Sequence, residues 1–287
     1  MRVRILISWL VLFTLSAGVS VSAAGNDDSL PFSLTGSGLI LVPVTVNDAG
    51  PFLFVLDTGS NRSAVSDALS ARLALRPVAR TQTVTSTGTG TSDVVRLASL
   101  AIGSHRSGDI LAPVLAADRI RALHPKADGI IGQDVLIDAH YTLDYRHKKL
   151  IWLGVDIDKD AGTRLALRRV EGRLLVELPQ SSRRDDIAWF VPDSGASSLV
   201  LFANGGRTAV AATTVGAIGV STVNGDGQAQ AALVSQLRVG RATLWDQPAM
   251  VLAGYGTAEN RVDGLLPLSR FSTVTFNGRE NYLVAKQ

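Results

Sequence analysis

Cysteine is absent from the 287 residues, which excludes a disulfide framework, a thiolate metal site, a cysteine nucleophile and a lipidated N-terminal cysteine. Excess charge is lacking too. The formal net charge is +3, and Arg2 and Arg4 account for two of those positives in a segment expected to be removed. What remains is no footprint for a nucleic acid or other polyanion partner. No Gly-x-Ser-x-Gly elbow occurs, so a serine hydrolase of that type is excluded. His105, His124, His140 and His147 do not have metal-ligand spacing, and they read as surface or capping residues. Beyond the N-terminus, no apolar run approaches the roughly 20 residues of a membrane span.

What is present starts with compartment. Arg2 and Arg4 precede an apolar run from Ile5 to Leu15, and Ser22-Ala23-Ala24 has the small residues of a cleavage site. Residues 1–24 therefore read as a signal peptide, cleaved after Ala23 or Ala24, and the mature protein is expected in the periplasm or secreted. Without disulfides an exported chain must rely on its core, for which a 46% hydrophobic content is ample.

The chain repeats itself once. An apolar strand runs into an acid at Phe52-Leu53-Phe54-Val55-Leu56-Asp57 and again at Trp189-Phe190-Val191-Pro192-Asp193, with the acids 136 residues apart. Polar glycine-rich hairpin tips, Thr87-Gly88-Thr89-Gly90 and Asn224-Gly225-Asp226-Gly227, begin 30 and 31 residues after their acids. Leu100-Ala101-Ile102-Gly103 and Leu237-Arg238-Val239-Gly240 follow, then the apolar runs at Ala112–Ala116 and Pro248–Ala253. Finally Asp128-Gly129-Ile130-Ile131-Gly132 matches Asp263-Gly264-Leu265-Leu266-Pro267, 71 and 70 residues from the acids. A register held this long implies two similar lobes.

Strands are expected over Leu39–Val46, Val94–Ile102, Leu143–Leu153, Leu174–Leu178 and Val274–Val284, and a helix over Ser66–Leu75 capped by Ser66. The expected organisation is residues 25–153 and 164–287 as the two lobes, joined by an acidic connector at 154–163. That connector resembles the start of a calcium loop, but Gly162 falls one position late and Leu167 stands where a glutamate is needed.

An acid that ends a buried apolar strand is costly to ionise unless something compensates. Asp57 is followed by Thr58, Gly59 and Ser60, and Asp193 by Ser194, Gly195 and Ala196. Each acid thus has a hydroxyl beside it and a glycine that admits backbone N–H groups. These two turns, with Ile130-Ile131-Gly132, resemble the aspartic proteases of the retropepsin and pepsin families. The resemblance covers nearly all of the expected mature chain. It implies an all-β fold of two retropepsin-like barrel lobes in a pepsin-like bilobal arrangement with a cleft between them, and a monomer. It also implies a catalytic dyad of Asp57 and Asp193, supported by Thr58, Gly59, Ser60, Ser194 and Gly195. Gly88, Thr89 and Gly90, with Gly225, Asp226 and Gly227, would then belong to flaps over a peptide or protein substrate. No cofactor and no metal are implied.

The second copy departs from the first. Pro192 removes an N–H next to Asp193, so its strand is expected to pair differently or to bulge; Pro267 stands where the first copy has Gly132. Ala196 lacks the hydroxyl of Ser60. These departures keep open a non-catalytic peptide-binding protein with a degenerate second lobe. If the protein is a peptidase, the missing hydroxyl predicts an optimum less acidic than that of a dyad with two. A pH–activity profile peaking sharply at about pH 2 would contradict it.

Overall fold

The computed structural model describes residues 28–85, 88–153, 162–180, 187–204, 206–222, 225–253 and 261–287. The expected signal peptide, connector residues 154–161, Thr87 and Asn224 lie outside the described residues.

The strands around each aspartate are apolar on both sides because each is sandwiched between two cores. In Ala49–Leu56 the even residues Phe52, Phe54 and Leu56 enter a large core that runs through the molecule, while Val55 enters a smaller outer cluster with Leu39, Leu41 and Ile130. In Ile187–Asp193, Ala188 and Phe190 enter the same large core, and Val191 packs outward with Leu175, Val200 and Phe202. A period of two with both faces buried reads in sequence as a continuous apolar run.

Each aspartate strand is joined by a short strand running parallel to it. Gly129–Ile131 pairs with Phe54–Leu56 in the first half, and Gly264–Pro267 pairs with Phe190–Asp193 in the second. The strand order in both halves is then the same: an antiparallel neighbour, the aspartate strand, the short parallel strand, Ala64–Ser66 or Leu199–Ala203, and finally a long three-stranded meander. The chain is all-β with two similar lobes, and the helices are short.

Beneath the lobes lies a sheet to which each half gives three strands. Its order is Asp28–Pro31, Lys149–Trp152, His140–Asp144, Thr273–Asn277, Tyr282–Lys286 and Thr163–Val170. The two central strands are antiparallel with Thr142 opposite Thr275, whose hydroxyls lie 2.7 Å apart. This places the pseudo-twofold axis between those threonines. Thr163–Val170 continues from this floor into the second lobe, pairing first with Tyr282–Ala285 and then with Arg173–Val176. In the first half the corresponding passage is broken at Phe32, between Asp28–Pro31 and Ser33–Leu34.

Two expected strands prove to be hairpins. Leu143–Leu153 spans His140–Asp144 and Lys149–Trp152, and Val274–Val284 spans Thr273–Asn277 and Tyr282–Lys286. Their turns carry Lys148 (φ 54°) and Asn281 (φ 54°) in the left-handed region, the second after an Asn277-Gly278 pair that marks a turn. The expected helix is shorter than its apolar spacing suggested, running Asp67–Arg72, with the Ser66 side chain accepting the N–H of Leu69 at 3.0 Å.

The glycines of the parallel strands mark close approach. A methyl group on Gly129 would collide with the Phe54 ring and lie 2.5 Å from the Ala64 carbonyl, and one on Gly264 would meet Phe190 and the Val200 carbonyl. Gly129→Ala is therefore expected to lower stability by about 1–3 kcal/mol, because the buried Phe54 ring and the Ala64 backbone both block the space. Urea unfolding of the variant and the parent measures this.

Candidate active site

Asp57 and Asp193 each end an aspartate strand, and the turns that follow grip one another across the axis. The Thr58 hydroxyl donates to the Pro192 carbonyl at 2.8 Å and accepts the Ser194 N–H at 3.0 Å. Reciprocally, the Ser194 hydroxyl donates to the Leu56 carbonyl at 2.7 Å and accepts the Thr58 N–H at 3.0 Å. Thr58 is 0% and Ser194 2% exposed, so water cannot substitute for any of these four bonds.

The interlock brings the carboxyl groups together. A methyl at Gly195 would lie 2.6 Å from Asp57 Cγ, and one at Gly59 would collide with the Asp193 carboxyl. Each glycine thus leaves room for the other lobe's acid. Asp57 Oδ1 accepts the N–H of Gly59 at 2.9 Å and of Ser60 at 3.0 Å, while Asp193 Oδ1 accepts the N–H of Gly195 at 2.6 Å. The two carboxyls face one another closely enough to interact directly.

Burial shifts both proton affinities. It raises Asp57 above the usual carboxylate range, and the facing Asp193 carboxyl, the N–H groups of Gly59 and Ser60, and the Arg173 charge draw it back. Asp193 is pushed well above that range, first by burial and then by the neighbouring Asp57 charge. The two therefore titrate as a pair, with one proton easily held between them.

The sequence departures fall where they do little harm. Pro192 introduces no register shift; the antiparallel ladder between Arg173–Pro179 and its strand ends at Phe190, and Pro192 contributes only its carbonyl, to Thr58. A position that gives the interlock a C=O alone can be proline. Gly132 has φ −114°, so handedness is not what requires glycine there. Instead a methyl would crowd the Arg62 backbone, 2.5 Å from its carbonyl oxygen, and the Gly132 N–H donates to Ser63 Oγ at 3.0 Å. Pro267, with φ −67°, continues the parallel ladder opposite Asp193 without that bond. The Ser60 hydroxyl donates to the Arg62 carbonyl at 2.8 Å, and it is the Ser60 backbone that supports Asp57. The lack of a hydroxyl at Ala196 is thus not what distinguishes the two acids.

The hairpin residues are placed at strand ends. Thr85 pairs with Gly88 and Thr83 with Gly90, while Thr222 pairs with Gly225, Ser221 with Asp226 and Val220 with Gly227. Thr89 pairs with Val84.

Three residues near the dyad were not singled out by sequence. Gln133 donates to the Thr58 carbonyl at 2.8 Å, bracing the turn from the landmark that follows Gly132. Arg173 Nε donates to the Gly59 carbonyl at 3.3 Å from the other lobe. Tyr145, buried in the floor, lies close enough to Asp193 for their charges to interact, and burial pushes its phenol well up. Extending the repeat one strand earlier would have paired Arg173 with Leu39 and exposed the mismatch.

Two predictions follow from the grip and its acids. Thr58→Ala orphans the Ser194 N–H and the Pro192 carbonyl and should cost about 1–3 kcal/mol per group, with Thr58→Ser largely restoring it, as read by denaturant melts. Folding raises the proton affinity of Asp193, so its carboxyl favours the folded state least above its folded pKa and opposes it progressively as pH rises from the ordinary carboxylate range. Asp193→Asn should accordingly raise the melting temperature near neutral pH and lose that advantage at acid pH.

Comparison with known proteins bears on this geometry. The aspartyl protease family model matches residues 42–135, from the strand before Asp57 through the Gly132 landmark to the start of the following helix. No curated protein matches the chain. Among solved structures, a retropepsin-like aspartic protease from Rickettsia conorii is similar at 17% identity, covering 43% of this chain and 89% of that one, with a TM-score of 0.32. The family match spans the Asp57 turn and the Gly132 landmark behind it, so this stretch of the chain is similar to the aspartyl proteases.

Proposed function

We propose that the protein is an aspartic endopeptidase that hydrolyses peptide bonds with a water activated between Asp57 and Asp193. The observation that carries this reading is the pair of acids from two lobes, brought face to face by an interlocked turn in which each glycine lies against the opposite carboxyl. Two buried carboxyls in contact cannot both ionise easily and hold one proton between them. The ionised Asp57 takes a proton from the water, whose oxygen attacks the peptide carbonyl carbon. Protonated Asp193 donates to the carbonyl oxygen as it gains charge. Collapse of the resulting diol breaks the C–N bond as one of its hydroxyls returns a proton to Asp193, and the proton taken by Asp57 leaves with the amine. No bond to the enzyme forms.

The hairpins ending at Gly88–Gly90 and Gly225–Gly227 would cover the bound peptide. Export to the periplasm or beyond, guided by residues 1–24, would supply unfolded protein substrates. The non-catalytic alternative draws on the drift of the second lobe. Against it stand the intact Ser194 half of the grip and the Gly195 N–H on Asp193. A lobe that no longer used its acid would have little reason to keep a carboxyl buried.

The test is to incubate the mature protein with a mixed peptide library over a range of pH and read cleavage by mass spectrometry. Asp57→Asn and Asp193→Asn should each reduce cleavage by more than about a hundredfold, the scale of one general acid or base. Undiminished cleavage by either variant would refute the dyad.

A further inference from the structure

The two lobes correspond in register around the dyad, and one difference in charge reaches across the axis from the second lobe. Ile40 pairs with Leu56 in the first lobe, and continuing the second lobe's register from Val176–Phe190 sets Leu174 beside Pro192. Arg173 is therefore the counterpart of Leu39. Leu39 is buried in the outer cluster of the first lobe beside Leu41 and Val55. Arg173 instead leaves the second lobe at the turn Glu171-Gly172, whose glycine has φ +74° and packs toward Asn61, and its Nε reaches the Gly59 carbonyl at 3.3 Å. The N–H of that same Gly59 donates to Asp57. A cation is thus anchored one peptide unit from one acid of the pair, whereas its counterpart Leu39 is apolar and packs into the outer cluster of the first lobe.

We propose that Arg173 is a positioning residue that breaks the symmetry of the dyad, fixing Asp57 as the water-activating base and leaving Asp193 as the proton donor. This rests on the endopeptidase reading for its catalytic meaning, but the electrostatic claim stands on the geometry. Among the described residues, Asp193 faces Asp57 from the opposite turn and Arg173 faces it from the hairpin, with Glu171 in the hairpin's turn. The short strand Gly129–Ile131 brings no charge. Tyr145 approaches from the floor toward Asp193, and Arg62, on the Asp57 loop, acts on Asp134. The Arg173 charge favours ionised Asp57. With the direction of proton transfer set before substrate binds, water is activated from the Asp57 side only.

The experiment separates charge from structure with Arg173→Gln, which can still donate to Gly59, and Arg173→Lys, which keeps the charge without the planar fork. In the Asp193→Asn background, carbon-13 NMR of labelled aspartate follows the Asp57 carboxyl, identified by its loss in Asp57→Asn. Arg173→Gln should move the Asp57 titration to higher pH, and Arg173→Lys should return it toward the parent. With Asp193 intact, the acid limb of kcat/KM should move to higher pH in Arg173→Gln and not in Arg173→Lys. An Asp57 titration unchanged by Arg173→Gln overturns the proposal, as does an equal shift in both variants, which marks a structural effect. If the parent cleaves no peptide, the endopeptidase reading fails, and the titration alone decides whether Arg173 polarises the pair.

Discussion

Burying two carboxyl groups against each other is the constraint around which this molecule is arranged. Neither acid would tolerate its position without donors aimed at it, and neither lobe can supply the arrangement alone. Thr58 and Ser194 answer by donating across the axis to the strand that leads into the opposite acid, so each aspartate is located by the other lobe's hydroxyl. The glycines after them clear the space that the opposing carboxyl fills. Everything behind this point, including the parallel strands and the shared floor, holds two loops in one register.

The floor does so by continuity. Central threonines hydrogen-bond at the axis, and Thr163–Val170 passes from the floor into the second lobe without interruption. The large core is common to both lobes and to the floor, with Phe54, Phe190, Tyr141 and Phe276 among its members. Relative rotation of the lobes would have to disturb this core and the interlock together, which suits a site where small displacements matter.

Much of this was legible in the repeat. Strand, acid, glycine turn and Asp-Gly landmark recur at matching distances, and the physical reason is that each copy solves the same packing problem. Asp128 and Asp263 illustrate it: each accepts the N–H of the aspartate strand, from Leu53 and from Trp189, and returns its own N–H to the same residue. Less legible were features whose cause lies across the axis. The hairpins at Lys148 and Asn281 are not among these, since charged turns, Arg146-His147-Lys148 and Gly278-Arg279-Glu280-Asn281, interrupt the apolar runs and the expected strands pass through them. The harmlessness of Pro192 depends on which of its backbone groups the other lobe uses, and the sequence carries no sign of that. Arg173 reads as an ordinary strand residue until its partner Gly59 is known.

The reciprocal grip has a consequence for the life history of the chain. Because every hydrogen bond of the grip runs from one lobe to the other, a chain with only its first lobe folded displays one aspartate with its backbone donors and no second acid. The second lobe ends at Pro267, and the strands Thr273–Asn277 and Tyr282–Lys286 close the floor only after it. The paired acids therefore come into being only when both lobes are in place, and neither lobe alone can present them.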